Sequence, residues 1–241
     1  MKKAVRNPIW LALDTPDAKR AAALIKATRP YIGGLKVGLE FISAHGPQGV
    51  RAIVKTGLPV FADVKFHDIP NTVAGAVRAM AATGVSIINV HAAGGAAMLR
   101  AAMGALSGMK KRPRIIGVTV LTSLADNDLA SVGVSGTAQD QVVRLARLCQ
   151  DNKLDGVVCS PLEVAAVRQA CGPKFLIVSP GVRPKGAQAD DQRRVMTARE
   201  TLRAGANILV IGRPITAAAD PAAAARTIIE HLRGRAPAKR A

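Results

Sequence analysis

Three ionisable side chains alternate along "FADVKFHDIPNT" (residues 61–72): Asp63, Lys65 and His67, with Asp68 following at once. Phe61, Val64 and Phe66 mark the same stretch for burial, and buried charges persist only when they are paired or in use. A strand's period of two directs Asp63 and Lys65 to one face. An ammonium about 4 Å from a carboxylate gains ~4 kcal/mol at an effective dielectric near 20, which offsets part of its desolvation. Lys36, in "GLKVG" (34–38), can add a second positive charge from a neighbouring strand. An alternating lysine–aspartate–lysine array keeps its ammonium groups charged and suits an acid that must hold its proton until a stronger base forms. The rival use of these residues is a zinc or magnesium site built from Asp63, His67 and Asp68. Two lysines in the same pocket would repel such a cation, so His67 is assigned to capping or packing, and no metal is expected. His91, in "VHAAGG", is assigned a supporting role ahead of direct catalysis.

A second polar signal lies toward the C-terminus. "SPGVRPKGAQADDQRR" (179–194) reads as a long loop after an apolar run, and "IGRPI" (211–215) follows the last such run. Backbone N–H groups and a helix N-terminus at such positions hold phosphate. Arg213 can add a forked positive charge, and Arg183 sits in a loop long enough to act as a lid.

Eight short apolar runs must position these groups: 9–14, 34–38, 60–66, 87–92, 115–121, 156–160, 175–180 and 207–212. Their near-continuous Val, Ile and Leu content suits parallel strands covered on both faces. Stretches of helical length lie between them. "TPDAKRAAALIKAT" offers Thr15 as N-cap with Pro16 at the first helical position, and "DPAAAARTIIEHLRG" repeats the cap-then-proline start. "TAQDQVVRLARLCQ" puts Val142, Leu145, Ala146 and Cys149 on one face. Eight βα units without an internal linker predict a single-domain (β/α)8 (TIM) barrel over residues 1–241, with short basic ends (about 1–7 and 233–241) expected to fray. A doubly wound open sheet is disfavoured because "LALDTPDA" lacks a glycine-rich phosphate turn. At the C-terminal strand ends, where barrels place their chemistry, stand Asp14, Lys36, Asp63, Lys65, His91, Thr122, Ser123, Arg183 and Arg213.

The composition narrows the alternatives. A 49% hydrophobic content supports a sizeable core, and the 2% aromatic content leaves few platforms for stacking bases. The net charge of +18 allows a nucleic-acid partner, yet seven of the 34 basic residues sit at the ends, and no specific nucleic-acid role is expected. Cys149, Cys159 and Cys171 fit neither a CxxC site nor an even disulfide framework, as in a reducing compartment. "IWLAL" is too short for a signal core, and no run approaches the roughly 18 apolar residues of a membrane span. A cytoplasmic protein without membrane contact is expected.

Taken in order, "LALD", "GLKVG", "FADVKFHDIPNT", "NVHAAGG", "GVTVLTS", "DGVVCS", "PGVRP" with "DQRR", and "VIGRPI" resemble the orotidine 5'-phosphate decarboxylase family, from residue 9 to 230. The resemblance implies conversion of orotidine 5'-phosphate to uridine 5'-phosphate and carbon dioxide, the last step of pyrimidine nucleotide (UMP) synthesis, with neither metal nor organic cofactor. It makes Lys65 the donor to the pyrimidine carbon that loses carboxylate, sets Asp63 beside that carboxylate, and has Lys36 complete the charge array and contact ribose. Asp14 would bind sugar hydroxyls, Thr122 and Ser123 would lie along the pyrimidine, and Gln192 would bridge base and phosphate. Arg183, Gly212 and Arg213 would hold the phosphate. Asp68, Ile69 and Thr72 would reach the facing site of a homodimer with shared active sites. The nearest alternatives are the metal-dependent sugar-phosphate relatives 3-keto-L-gulonate 6-phosphate decarboxylase and hexulose phosphate synthase. They hold metal partly through an acidic residue near the end of strand two, where this chain has Lys36, with Glu40 beyond the strand. The alternative of another class is a basic nucleic-acid-binding module.

Overall fold

The computed structural model describes residues 7–182 and 196–233. Eight parallel strands close into a barrel in sequence order, β1 pairing with both β2 and β8. They are β1 (Ile9–Leu13), β2 (Gly34–Val37), β3 (Val60–Phe66), β4 (Ile87–His91), β5 (Arg114–Val118), β6 (Gly156–Val158), β7 (Leu176–Ser179) and β8 (Ile208–Ile211). Each falls within one of the expected runs, apart from a one-residue extension at the start of β5, and the ends differ by up to three residues. Ten α-helices lie among the described residues: α1 (Ala18–Thr28), α2 (Leu39–Val54), α3 (Pro70–Ala81), α4 (Gly95–Gly104), α5 (Asp126–Ser131), α6 (Ala138–Asp151), α7 (Val164–Cys171), α8 (Ala198–Arg203), α9 (Arg213–Thr216) and α10 (Pro221–Leu232).

Two apolar layers hold this closure. Inside the barrel, Trp10, Phe61, Ile87, Ile116, Leu176 and Ile208 pack on one another. Outside it, the helices bury their apolar faces on the strands, and α6 does so with Val142, Leu145, Ala146 and Cys149 as its spacing requires. At about 25 cal/mol per Å² of apolar area, these two layers are the main favourable contribution to folding. Gly34 of β2 is small for a reason: a Cβ there would come within 2.6 Å of the Trp10 ring.

Helix starts follow local chemistry, with one correction. Asp220 accepts from the Ala223 N–H and Pro221 opens α10, as expected. For α1 the cap is Asp17, which accepts from the Lys19 and Arg20 N–H groups, while Thr15 accepts from the Asp17 N–H one turn earlier. A carboxylate can serve two orphan donors at once and takes the cap position from the hydroxyl; Pro16 therefore precedes the helix. Residues 1–6 and 234–241, most of the ends expected to fray, lie outside the described residues.

Candidate active site

A cavity of about 660 Å³ opens at the C-terminal ends of the strands, lined by Asp14, Lys36, Asp63, Lys65, Thr122, Gly212 and Arg213 among others. Seven of the residues singled out from the sequence thus converge, although they span 200 positions of the chain. The lower wall is apolar, with Ala12, Phe61, Val118, Val158, Val178 and Val210 each contributed by a strand.

The charge array stands on this wall. The Asp63 carboxylate receives Lys36 Nζ on Oδ2 at 2.9 Å and Lys65 Nζ on Oδ1 at 2.8 Å. Burial opposes the charge on Asp63, but the two lysines outweigh it and draw the carboxyl down from 3.8 to about 2. Lys36 and Asp63 are tucked away, with side chains 12% and 13% exposed, whereas Lys65 projects further at 32%. Both lysines line the cavity, and Lys65 is the more exposed of the two.

Asp63 and Lys65 meet as the spacing requires, but by a different route from a regular pleat. β3 pairs with β4 at Phe61–Ile87 and Ala62–Ile88, then resumes at Phe66–Val90, so four steps on β3 face two on β4. Within this bulge Lys65 adopts φ 51°. That left-handed backbone costs a non-glycine residue about 1–2 kcal/mol and needs support from around it. The support is Asn89, fully buried on β4, which sequence reasoning passed over. Its Oδ1 accepts from the Lys65 N–H at 2.7 Å and its Nδ2 donates to Asp63 Oδ1 at 2.7 Å. The available signal was one amide inside the apolar run "IINV".

Asp14 is placed by the start of α2: its Oδ1 accepts from the Glu40 N–H at 3.1 Å and the Phe41 N–H at 3.4 Å. Gly38 makes room for this, since a Cβ there would lie 2.2 Å from Asp14 Oδ2. Across the mouth, β8 ends at Ile211, Gly212 takes the N-cap position and Arg213 opens α9. Arg20, on α1, also lines the cavity and reaches the Thr216 carbonyl at 3.4 Å; it was not foreseen.

Other expected residues stand elsewhere. Ser123 is exposed and outside the cavity lining, next to Thr122. Asp68, Ile69 and Thr72 are exposed at the start of α3 and do not line their own chain's cavity; Asp68 Oδ1 accepts from the Ile69 N–H. Arg183 and Gln192 lie outside the described residues. His67 packs its ring on His91, centroids 5.1 Å apart and planes 17° from parallel. Burial, then His67 and Lys65, lower the His91 pKa from 6.5, which favours the neutral ring. The rival metal trio is not assembled: among the described residues no three His, Cys, Asp or Glu side chains converge as ligands.

A closed parallel barrel with an ammonium–carboxylate–ammonium array in its mouth and an arginine after β8 defines a (β/α)8 enzyme suited to anionic, phosphorylated substrates. Comparison with known proteins specifies it further. The chain belongs to the orotidine 5'-phosphate decarboxylase / HUMPS family, whose model matches residues 7–228. It is 55% identical over 233 residues to an orotidine 5'-phosphate decarboxylase of Moorella thermoacetica, spanning 94% of this chain and 92% of the relative. An enzyme of the same name from Paramagnetospirillum magneticum is 49% identical, over 94% and 98% of the two chains. In three dimensions the chain is similar to orotidine 5'-phosphate decarboxylase from Lactobacillus acidophilus, with a TM-score of 0.81 and 33% identity over 94% of this chain and 99% of that one.

Proposed function

We propose that this chain, working as one barrel domain, decarboxylates orotidine 5'-phosphate to uridine 5'-phosphate without a cofactor. The observation that carries the reading is the Lys36–Asp63–Lys65 array lining the cavity, with Lys65 its most exposed member. Breaking the bond from the pyrimidine ring to its carboxylate releases carbon dioxide and leaves the electron pair on the ring carbon. A fixed ammonium at that carbon stabilises the developing charge and then donates a proton to it; the resulting neutral amine is reprotonated from water. Asp63 sits beside the leaving carboxylate and fixes Lys65, while Lys36 neutralises the far oxygen of Asp63 and reaches the ribose. Asp14 binds sugar hydroxyls and Thr122 and Ser123 flank the base. Arg213 and Gly212 hold the phosphate with Arg183, and Gln192 bridges phosphate and base. Phosphate binding far from the reacting bond supplies energy for organising the closed site.

Asp68, Ile69 and Thr72 are proposed to serve the facing site of a homodimer; their exposure away from their own cavity supports this. Mixing inactive Lys65→Ala and Asp68→Ala subunits is expected to restore up to about a quarter of the wild-type sites. Absence of rescue, with subunit exchange demonstrated, would remove the shared site. No helix among the described residues is long and apolar enough to cross a membrane, and we place the reaction in the cytoplasm. The activity is tested by following orotidine 5'-phosphate in the ultraviolet with and without a chelator. Consumption is expected in both; dependence on a divalent metal would transfer the chain to the sugar-phosphate branch of its superfamily.

A further inference from the structure

Asn89 is a fully buried amide in a strand whose neighbours Ile87, Ile88 and Val90 are apolar and buried. Neither of its two bonds belongs to the regular ladder. One goes to the backbone N–H of Lys65, within the bulge where β3 and β4 fall out of register, and the other to the Asp63 oxygen that also receives Lys65 Nζ. The orientation of the amide is dictated by its partners: a backbone N–H only donates, and an ionised carboxylate only accepts. Asn89 therefore grips both ends of the Lys65 side chain's frame, the backbone from which it starts and the carboxylate on which its ammonium rests.

We propose that Asn89 is a positioning residue for the proton donor: it holds the β3 bulge in register and fixes Asp63, and thereby sets where the Lys65 ammonium stands. Its own amide is wholly buried beneath Asp63 and Lys65, so it acts through them. Neither apolar packing nor an ordinary ladder bond can replace it. A leucine would leave the carboxylate short of one donor and the Lys65 N–H without an acceptor, and a buried orphan of either kind is destabilising. Displacing a reacting group by 1 Å costs on the order of 10²-fold in rate.

The inference rests on the decarboxylase reading and is tested alongside it. Wild type, Asn89→Ala and Asn89→Asp are compared for kcat and KM on orotidine 5'-phosphate, for affinity toward uridine 5'-phosphate and for thermal unfolding, with rates taken per folded site. Asn89→Ala is expected to lower kcat by on the order of 10²-fold while KM and product affinity stay within about threefold. Asn89→Asp matches the original in size and keeps the acceptor for Lys65, but sets a second anion against Asp63. It is expected to lose rate similarly and to move the acid limb of kcat/KM upward, since a neighbouring like charge favours protonation of Asp63. The groups facing Asp63 are Lys36 from β2, Lys65 on β3 and Asn89 on β4, with His67 and His91 stacked nearby. Acetylation of Lys65 by acetic anhydride, read by peptide mass spectrometry, supplies a measure independent of turnover. Its rate is expected to change at least about threefold in Asn89→Ala relative to an exposed lysine such as Lys19, because the environment of the amine changes. Wild type that does not consume orotidine 5'-phosphate would sink the proposed activity and leave acetylation to decide on Asn89. Active wild type with both variants within about threefold in kcat and in acetylation would overturn the positioning role, as would equal losses of rate and product affinity.

Discussion

Two asparagines toward opposite ends of the barrel, Asn89 fully buried and Asn207 half-buried, make the same kind of bond for different ends. Asn207 precedes β8 at the N-terminal face. Its Oδ1 accepts from the Ile177 N–H of the neighbouring strand at 2.8 Å and from Arg168 Nη2 at 2.9 Å. Arg168 spends its remaining donors on the carbonyls of Gly172, Phe175 and Gly205. Asn89 also accepts a backbone N–H from the adjacent strand and also touches a charged group. The difference is in what the cation of each network has left to offer. At the N-terminal face the guanidinium is consumed by protein acceptors, and the network is closed. At the C-terminal face the Lys65 ammonium has, among the described residues, one hydrogen-bond partner, Asp63, and its side chain lines a cavity. One arrangement ties strands together; the other leaves an ammonium at the cavity, where the proposed reaction needs a proton donor.

The strongest way to break the contrast is Lys65→Ala, expected to lower kcat by on the order of 10⁵-fold, combining proton donation with electrostatic stabilisation, in a rapid-mixing or long-incubation assay. A residual rate above a small fraction of wild type would return Lys65 to a structural role. Next comes Arg213→Ala, expected to raise KM for orotidine 5'-phosphate by on the order of 10²-fold through loss of charge-assisted bonds, with little change for the nucleoside lacking phosphate. Equal effects on both would cancel the phosphate assignment. At the other end of the barrel, Arg168→Ala is expected to cost about 2 kcal/mol, lowering Tm by roughly 4–8 °C by calorimetry, and to leave kcat per folded site unchanged. A large drop in kcat without loss of Tm would erase the distinction between the two ends.

Acid should give the smallest and most selective effect. The Asp63 carboxyl is depressed in the folded protein, to about 2, so its stabilising contribution is fully present above the unfolded value of 3.8. That contribution is lost as the pH falls through the window from about 4 to about 2. Stability measured by denaturant titration should therefore decline more steeply across that window in wild type than in Asp63→Asn.

Much of this was legible in the chain. All eight strands were visible as apolar runs, because strands covered on both faces exclude polar residues, and every interruption at a C-terminal end was worth noting. Asp14, Lys36, Asp63, Lys65 and Arg213 were found that way, and all line the cavity. What escaped was anything set by register between strands. The bulge at Lys65 depends on how β3 lies against β4, and Asn89 reaches its partners across 24 and 26 residues of sequence. A period-two reading of β3 alone brought Asp63 and Lys65 together without revealing the left-handed backbone that accomplishes it. The Thr15 cap failed for a local reason, since a better acceptor, Asp17, stood two residues further on.

The kink in β3 limits how the chemistry can be transplanted. A designer who copied only the aspartate and the two lysines onto a smooth strand of some other barrel would obtain three charges of the right kind on a ribbon of the wrong shape. The portable unit is larger: the stretch from Ala62 to Phe66, the facing amide from the next strand, and the lysine from the strand before. Its boundaries are set by backbone geometry, and a mimic that omits the kink should bind the nucleotide and leave it unchanged.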